Sequence, residues 1–279
     1  MPADLLAGLD KEAVARRFNR SAATYDASCR VQRRMAGRLL ERLDKIKHSP
    51  GRVLELGCGT GYLTTMLARR FPGSRILAVD FAERMIDIAR GRGCGERTRF
   101  RVADAEVADF GLAGYDLIVS NAAVQWFEEP SISMSRLAAA LRPGGWMLHS
   151  SFGPATFREL KLVLGCSPGE GVRHAHSAGL PLRSAPEWET VLRAGGLERV
   201  ECDSRLRVVH YADAAGFLRE LQATGATYRP AGAGAERLTP AALGDALARY
   251  DRGYRSPEGV PVTYELLEIV GRSPGSSTT

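Results

Sequence analysis

The sequence predicts an α/β protein with a doubly wound, mainly parallel sheet, and three observations carry that expectation. Between residues 52 and 151, short β-rich runs alternate with amphipathic helical segments, the pattern of βαβ units with helices on both sheet faces. The first run ends in three glycines at alternating positions, Gly57, Gly59 and Gly61, just where a helix begins. The next two runs end in Asp80 and Asp104, at the carboxyl ends of strands, where open α/β sheets bind ligands.

Taken in order, apolar residues from Lys11 to Ile46 (Val14, Phe18, Met35, Leu39, Leu40, Leu43) recur at helical spacing, and the polar stretch Ser21–Asp26 predicts a turn between two helices. Ser49-Pro50-Gly51 ends that region. Strands are then expected at Arg52–Leu56, Arg75–Val79, Thr98–Ala103, Tyr115–Ser120 and Trp146–Ser151, with helices at Tyr62–Phe71, Ala82–Gly91 and Ile132–Leu141. Beyond Ser151 the alternation loosens. Helices are expected at Thr156–Leu164, Glu187–Ala194, Ala212–Thr224 and Pro240–Tyr250, strands at Glu198–Tyr211 and Val262–Val270, and a loop at Cys166–Leu182. Three parts follow: a basic helical segment at 1–48, a main domain at 49–271 with insertions near 153–186 and 212–252, and a frayed polar tail at 272–279.

The chain has 279 residues, 44% hydrophobic and 25% charged, which excludes disorder for its bulk and leaves room for one large domain rather than two. No run approaches the roughly 20 apolar residues of a membrane span, and Met1–Asp10 carries acids where a signal peptide would be basic and then apolar. A cytoplasmic protein is expected. Five scattered cysteines (Cys29, Cys58, Cys94, Cys166, Cys202) form no C-x-x-C pair, and the His174/His176 pair has no further ligand at normal spacing, so neither a disulfide framework nor a metal site is expected. The net charge of +6 is concentrated: residues 11–47 hold eleven Lys or Arg against four acids. Such a field suits an anionic partner, although an ordinary solvated helix face would read the same way.

The glycine loop narrows the chemistry. Glycines are needed where φ is positive or a ligand passes close to the backbone, and the helix start offers free N–H groups. The spacing G-x-G-x-G is neither the G-x-G-x-x-G of dinucleotide folds nor a triphosphate loop. Asp80 can accept two ribose hydroxyls, although a strand-end Asp is as often a helix cap, and Asp104, with the Ala105 N–H nearby, can accept from an adenine amino group. Ser120 and Asn121 close the fourth strand, and Leu141-Arg142-Pro143-Gly144-Gly145 reads as a helix-to-strand turn.

In this order and spacing, E-L-G-C-G-T-G, V-D, A-D-A, D-L-I-V-S-N and L-R-P-G-G resemble the class I S-adenosylmethionine-dependent methyltransferases over residues 50–151. The resemblance implies a Rossmann-like seven-stranded sheet and S-adenosyl-L-methionine as cofactor. Carried over by position, it implies that Gly57, Gly59 and Gly61 line the methionine part, that Glu55 and Cys58 belong to the cofactor set beside them, and that Asp80 holds the ribose. Phe81 and Met85 would flank the adenine, Asp104 would bind its amino group with the Ala105 N–H nearby, and Asn121 would complete the cofactor set. The N/D-P-P-Y tetrapeptide of amine-methylating members is missing after Ser120, which disfavours an exocyclic amine as acceptor.

The flanks resemble a narrower group. V-A-R-R-F-N-R-S-A-A-T-Y-D at 14–26, S-N-A-A-V-Q-W-F at 120–127, S-F-G-P-A-T-F-R-E-L at 151–160, F-L-R-E-L at 217–221 and P-V-T-Y at 261–264 are similar to the malonyl-acyl-carrier-protein O-methyltransferases of biotin synthesis. The stretch Gly171–Pro186 departs from that pattern. This resemblance implies an acceptor carboxylate on a malonyl group carried by an acidic acyl carrier protein or coenzyme A, with Tyr25 as a lid and positioning residue and Gln125 and Trp126 shaping the acceptor pocket. It points to neither nucleic acid nor membrane as partner and to no metal. The competing readings are a small-molecule O- or C-methyltransferase acting on a quinone-like or polyketide acceptor, a nucleic-acid methyltransferase, and a non-catalytic binding module.

Overall fold

The computed structural model describes residues 9–46, 49–164, 180–226 and 239–275. Residues 1–8 of the N-terminal segment, Lys47, Cys166, the His174/His176 pair, residues 171–179 of the divergent stretch and residues 276–279 of the tail lie outside them. Seven strands, β1 (Arg52–Leu56), β2 (Arg75–Asp80), β3 (Thr98–Val102), β4 (Tyr115–Asn121), β5 (Leu141–Phe152), β6 (Glu198–Tyr211) and β7 (Val260–Arg272), form one sheet in the order β3-β2-β1-β4-β5-β7-β6. β1 to β5 run parallel, and β7 lies antiparallel to both its neighbours. The expected doubly wound, mainly parallel seven-stranded architecture is the observed one.

Helices cover both faces. On one, α2 (Arg30–Ile46), α3 (Tyr62–Arg70) and α4 (Glu83–Arg90) bury Leu39, Leu43, Leu67 and Ile86 against Val53, Leu117, Val119 and Leu148. On the other, α5 (Pro130–Ala140) and α7 (Ala185–Ala194) bury Met134, Leu137, Trp188 and Leu192 against Leu54, Ile118, Met147 and Ile269. Each such side chain contributes about 2 kcal/mol of transfer free energy. A third cluster, centred on Phe217, Tyr250 and Tyr264, joins α2 and α6 (Arg158–Val163) to α8 (Ala214–Ala223) and α9 (Pro240–Tyr254).

The first helix corrects the sequence expectation. α1 runs unbroken from Lys11 to Ser28, through the polar stretch read as a turn, and the chain breaks instead at Cys29. Those polar residues are spent on tertiary contacts. The Ser21 and Thr24 hydroxyls donate to the Gln222 and Ala223 carbonyls at 3.5 and 3.2 Å, and Asp26 accepts from the Thr60 hydroxyl at 2.7 Å. Ala22 packs against Ala82 and Met85. The L-R-P-G-G stretch also differs, because β5 begins at Leu141 and takes the supposed turn into the sheet through an irregular register opposite Tyr115–Leu117.

β1 has β2 on one side and β4 on the other, so the winding reverses between β1 and β4. In open α/β sheets such a reversal opens a crevice at the strand carboxyl ends. The glycine loop after β1 and the short 3-10 turn Val124–Trp126 after β4 meet there.

Candidate active site

Gly57 and Gly61 both have positive φ, 63° and 81°. A Cβ on Gly57 would sit 2.2 Å from the Cβ of Ala123, and one on Gly61 would sit 2.9 Å from the Cβ of Ala89. Glycine is therefore demanded here first by the protein's own packing: the loop after β4 presses on Gly57, and α4 presses on Gly61. The turn closes through Cys58 N–H to Val79 O at 3.0 Å and Gly61 N–H to Cys58 O at 2.9 Å. Cys58 is buried beneath it, and burial drives its thiol well above the ordinary range.

Asp80 receives the N–H of Ala82 on one carboxylate oxygen at 2.8 Å and that of Gly59 on the other at 2.9 Å. Burial pushes its carboxyl up to about 6, against the pull of these two donors. Each oxygen keeps a second lone pair, so two hydroxyls of a ligand can still be accepted. Glu55, on β1, is 1% exposed, its Oε2 has no hydrogen-bond partner, and burial pushes its carboxyl up to about 8. An orphaned buried carboxyl oxygen two residues before the first glycine is a ready acceptor for a ligand's amino group.

Of these groups, Gly57 and Asp80 border an open cavity of about 410 Å³. Gly57, Asp80 and Phe81 form one wall, Ala103, Asp104 and Ala105 the next, and Ala123, Trp126 and Phe127 the third, while Leu9, Lys11 and Val14 lie along the remaining side. Asp104 accepts the Glu106 N–H at 2.9 Å and the Lys11 ammonium at 2.7 Å; Lys11 also reaches Glu106, at 2.5 Å. Burial alone would lower that ammonium, yet the two carboxylates raise it past its ordinary value.

α1 thus forms the roof of the cavity and is tied down at three points. Besides Lys11, Asn19 Oδ1 accepts the Arg84 N–H at 2.9 Å at the start of α4. Near the far end, Asp26 pairs with Arg92, and both bond to Thr60 in the glycine loop. Phe18 is the apolar hub of the roof, edge-on to Trp126, Phe81 and Tyr25 at centroid distances of 5.7, 6.0 and 6.5 Å. Tyr25 packs with Ala22, Ala82 and Met85, and burial, with Asp80 among its neighbours, raises its phenol.

The expected site residues thus divide. Gly57, Asp80, Phe81, Asp104, Ala105 and Trp126 line the cavity together; Met85 and Tyr25 sit in the apolar packing beside it, and Cys58 beneath the loop. Asn121 and Gln125 spend their amides on the protein. Asn121 donates to Gln32 O at 3.0 Å and accepts from Ser150 at 2.8 Å, while Gln125 donates to Ala122 O at 2.7 Å and accepts from Ser151 at 3.4 Å. Leu9, Lys11, Val14 and Phe18 escaped sequence reasoning as site residues, although the four-residue step from Val14 to Phe18 on a helix carrying the resemblance was the available signal. Among the described residues no cluster of three or more His, Cys, Asp or Glu could hold a metal ion, and no helix is long and apolar enough to cross a membrane.

Comparison with known proteins agrees with this geometry. A family model described as a methyltransferase domain matches residues 53–145. A malonyl-[acyl-carrier protein] O-methyltransferase of a Paenibacillus strain is 35% identical, over 93% of this chain and 98% of the relative. A second relative of that name, from Brevibacillus brevis, is 32% identical over 94% and 96%. The chain belongs to the class I S-adenosylmethionine-dependent methyltransferases. The fold of this methyltransferase is shared with the YcgJ protein of Bacillus subtilis, with a TM-score of 0.60 at 14% identity, covering 85% of this chain and 98% of that one. Its cavity suits the family's cofactor on two counts, the free acceptor capacity of Asp80 and the aromatic wall of Phe81, and the orphaned oxygen of Glu55 lies two residues before Gly57 on β1.

Proposed function

We propose that this methyltransferase esterifies the free carboxylate of a malonyl thioester carried on an acidic acyl carrier protein, giving the malonyl methyl ester that primes pimeloyl synthesis for biotin. The observation that carries this reading is the reach of the similarity: relatives named for that reaction match over 93% of the chain. That is too much to be confined to the cofactor half, so it extends into the helices around the acceptor side.

Bound S-adenosylmethionine supplies a methyl group on a positively charged sulfur, which leaves as a neutral thioether. Gly57 and Glu55 would hold its methionine part, Asp80 the ribose hydroxyls, and Phe81, Asp104 and Ala105 the adenine. A malonyl carboxylate, with a pKa near 4, is ionised at neutral pH. Its oxygen would therefore be a competent nucleophile toward the methyl group without a general base, and the site would need to move no proton. What the protein adds is alignment and dryness. Leu9, Val14, Phe18, Trp126 and Phe127 supply an apolar surround that strips water from the attacking carboxylate, and Tyr25 beside Asp80 keeps the roof closed over the reacting groups.

The carrier protein meets exposed cations on α1 and the neighbouring α2. Arg30, Arg38 and Arg42 are already paired with Glu220, Glu268 and Glu201, whereas Arg20, Arg33 and Arg34 are exposed on α1 and α2. They provide a field that steers an acidic partner. Intact-mass measurement after incubation with S-adenosylmethionine tests the reading. A gain of one methyl group on malonyl carrier protein and none on acetyl carrier protein is expected; no gain on the malonyl form overturns it.

A further inference from the structure

An ionised acceptor must be met by a cation, and the sequence does not single one out. We propose that Arg183 is the residue that receives the acceptor carboxylate, an inference that rests on the malonyl reading above. Arg183 is 7% exposed, and its NH1 is buried with no hydrogen-bond partner. A guanidinium stays ionised throughout the physiological range, and burying one of its charged donors without a partner is costly unless an acceptor meets it. Other cations around the site are already neutralised: Lys11 by Asp104 and Glu106, Arg92 by Asp26, Arg38 by Glu268.

The backbone places Arg183 on the acceptor side. It precedes Ser184, whose side chain and N–H both bond Glu187 and so fix the start of α7. From there α7 runs antiparallel to β5: Trp188 stacks edge-on over His149 at 5.0 Å, and Leu192 closes over Gly271, the β7 partner of Met147. Three residues of helical rise from Trp188 back to Ala185 are about 4.5 Å, and Ser184, which is extended, carries the chain further in the same direction. Arg183 therefore lies beyond the N-terminus of α7, on the side of the sheet where the carboxyl end of β5 lies. Three residues earlier, Leu180 packs on the cluster of Leu9, Val14 and Trp126. The run 180–184 thus leads from the cavity roof to the carboxyl end of β5.

A single open donor suits the chemistry. NH1 can hold one oxygen of the malonyl carboxylate and leave the other free to take the methyl group. Once that oxygen is esterified the negative charge is gone, the pairing is lost, and the neutral product is released. Neutral acceptors such as quinols or phenols would draw no benefit from this cation.

The test compares wild type with R183M, R183K and R183A on malonyl carrier protein, with S-adenosylhomocysteine titration of each variant as the control. R183M is expected to lose about a hundredfold in kcat/KM while its S-adenosylhomocysteine affinity stays within about twofold of wild type. R183K, which keeps the charge, should retain more activity than R183M, and guanidinium added to R183A should restore part of the rate, which a merely structural arginine would not allow. Equal turnover by wild type and R183M overturns the assignment and leaves the malonyl reading standing. Should R183M fail to fold, a folded R183A without guanidinium rescue overturns it instead. A wild-type protein that binds S-adenosylhomocysteine yet methylates no malonyl thioester overturns the reading, and this inference with it.

Discussion

The floor of the cavity is made at the ends of β1, β2 and β3, whereas its roof is made by side chains of α1, a helix that ends at Ser28, well before the glycine loop in the sequence. On the floor, positive φ at Gly57, two N–H groups on Asp80 and the placement of Asp104 follow from where each strand stops. On the roof, Phe18 and Lys11 matter only because α1 is pinned by Asp104, the start of α4 and Thr60. The difference predicts how each half tolerates change. Floor substitutions disturb backbone that has no alternative; roof substitutions loosen a contact that water can partly replace.

The floor variant G57A should show the largest effect. The new methyl group would meet Ala123 in a left-handed conformation, at a cost of about 3 kcal/mol in stability, read as a lower melting temperature together with loss of S-adenosylhomocysteine binding. A G57A protein that melts and binds like wild type would remove the distinction between floor and roof.

Glu55 sharpens the comparison through pH. Its carboxyl, pushed up to about 8, is mostly neutral at pH 7 in the free protein, and the ammonium of a bound methionine part favours the ionised form. S-adenosylhomocysteine binding should therefore release a proton. Affinity should rise by up to about tenfold per pH unit below about pH 8 and level off above it. The free protein should show the opposite trend: a raised carboxyl contributes stability that is complete below the ordinary Glu range and is lost as pH rises through about 8. Calorimetry and melting curves should show both slopes in wild type, and between about pH 7 and 8, above the range in which Asp80 titrates, neither in E55Q.

Effects on the roof should be smaller. K11M removes a partly exposed pair with Asp104 and Glu106, so cofactor-product affinity should fall by roughly threefold and its dissociation should quicken in stopped-flow measurements. The smallest effect belongs to the outer rim. The double variant R33E/R34E should slow turnover of malonyl carrier protein by roughly twofold at physiological salt, with a larger difference at low salt, and leave malonyl coenzyme A unaffected. Equal slowing on both substrates would place those arginines in the pocket rather than on the carrier surface.

The same contrast explains what the sequence disclosed. Between Arg52 and Ser151 each switch from alternating to helical periodicity marks an element, and strand ends put Asp80 and Asp104 in the crevice by topology alone, so the floor was legible residue by residue. The roof was legible only as a helical, basic segment. Ser21–Asp26 has the composition of a turn, and only contacts with Gln222, Ala223 and Thr60 make it helix. Arg30 looked as available to a partner as Arg33 until Glu220, far along the chain, was placed against it. Arg183 lay in a stretch with neither period nor motif; its signature is burial without a partner, which exists only once the chain is folded.

The central claim, methyl transfer to a carboxylate oxygen, is tested most directly with S-adenosylmethionine labelled with carbon-13 in its methyl group, malonyl carrier protein and NMR of the product. The account predicts a single methyl resonance in the ester region, lost on mild alkaline hydrolysis with release of labelled methanol. A carbon-bound methyl resonance that survives hydrolysis, or label appearing on no malonyl species while the protein still binds S-adenosylhomocysteine, would contradict it.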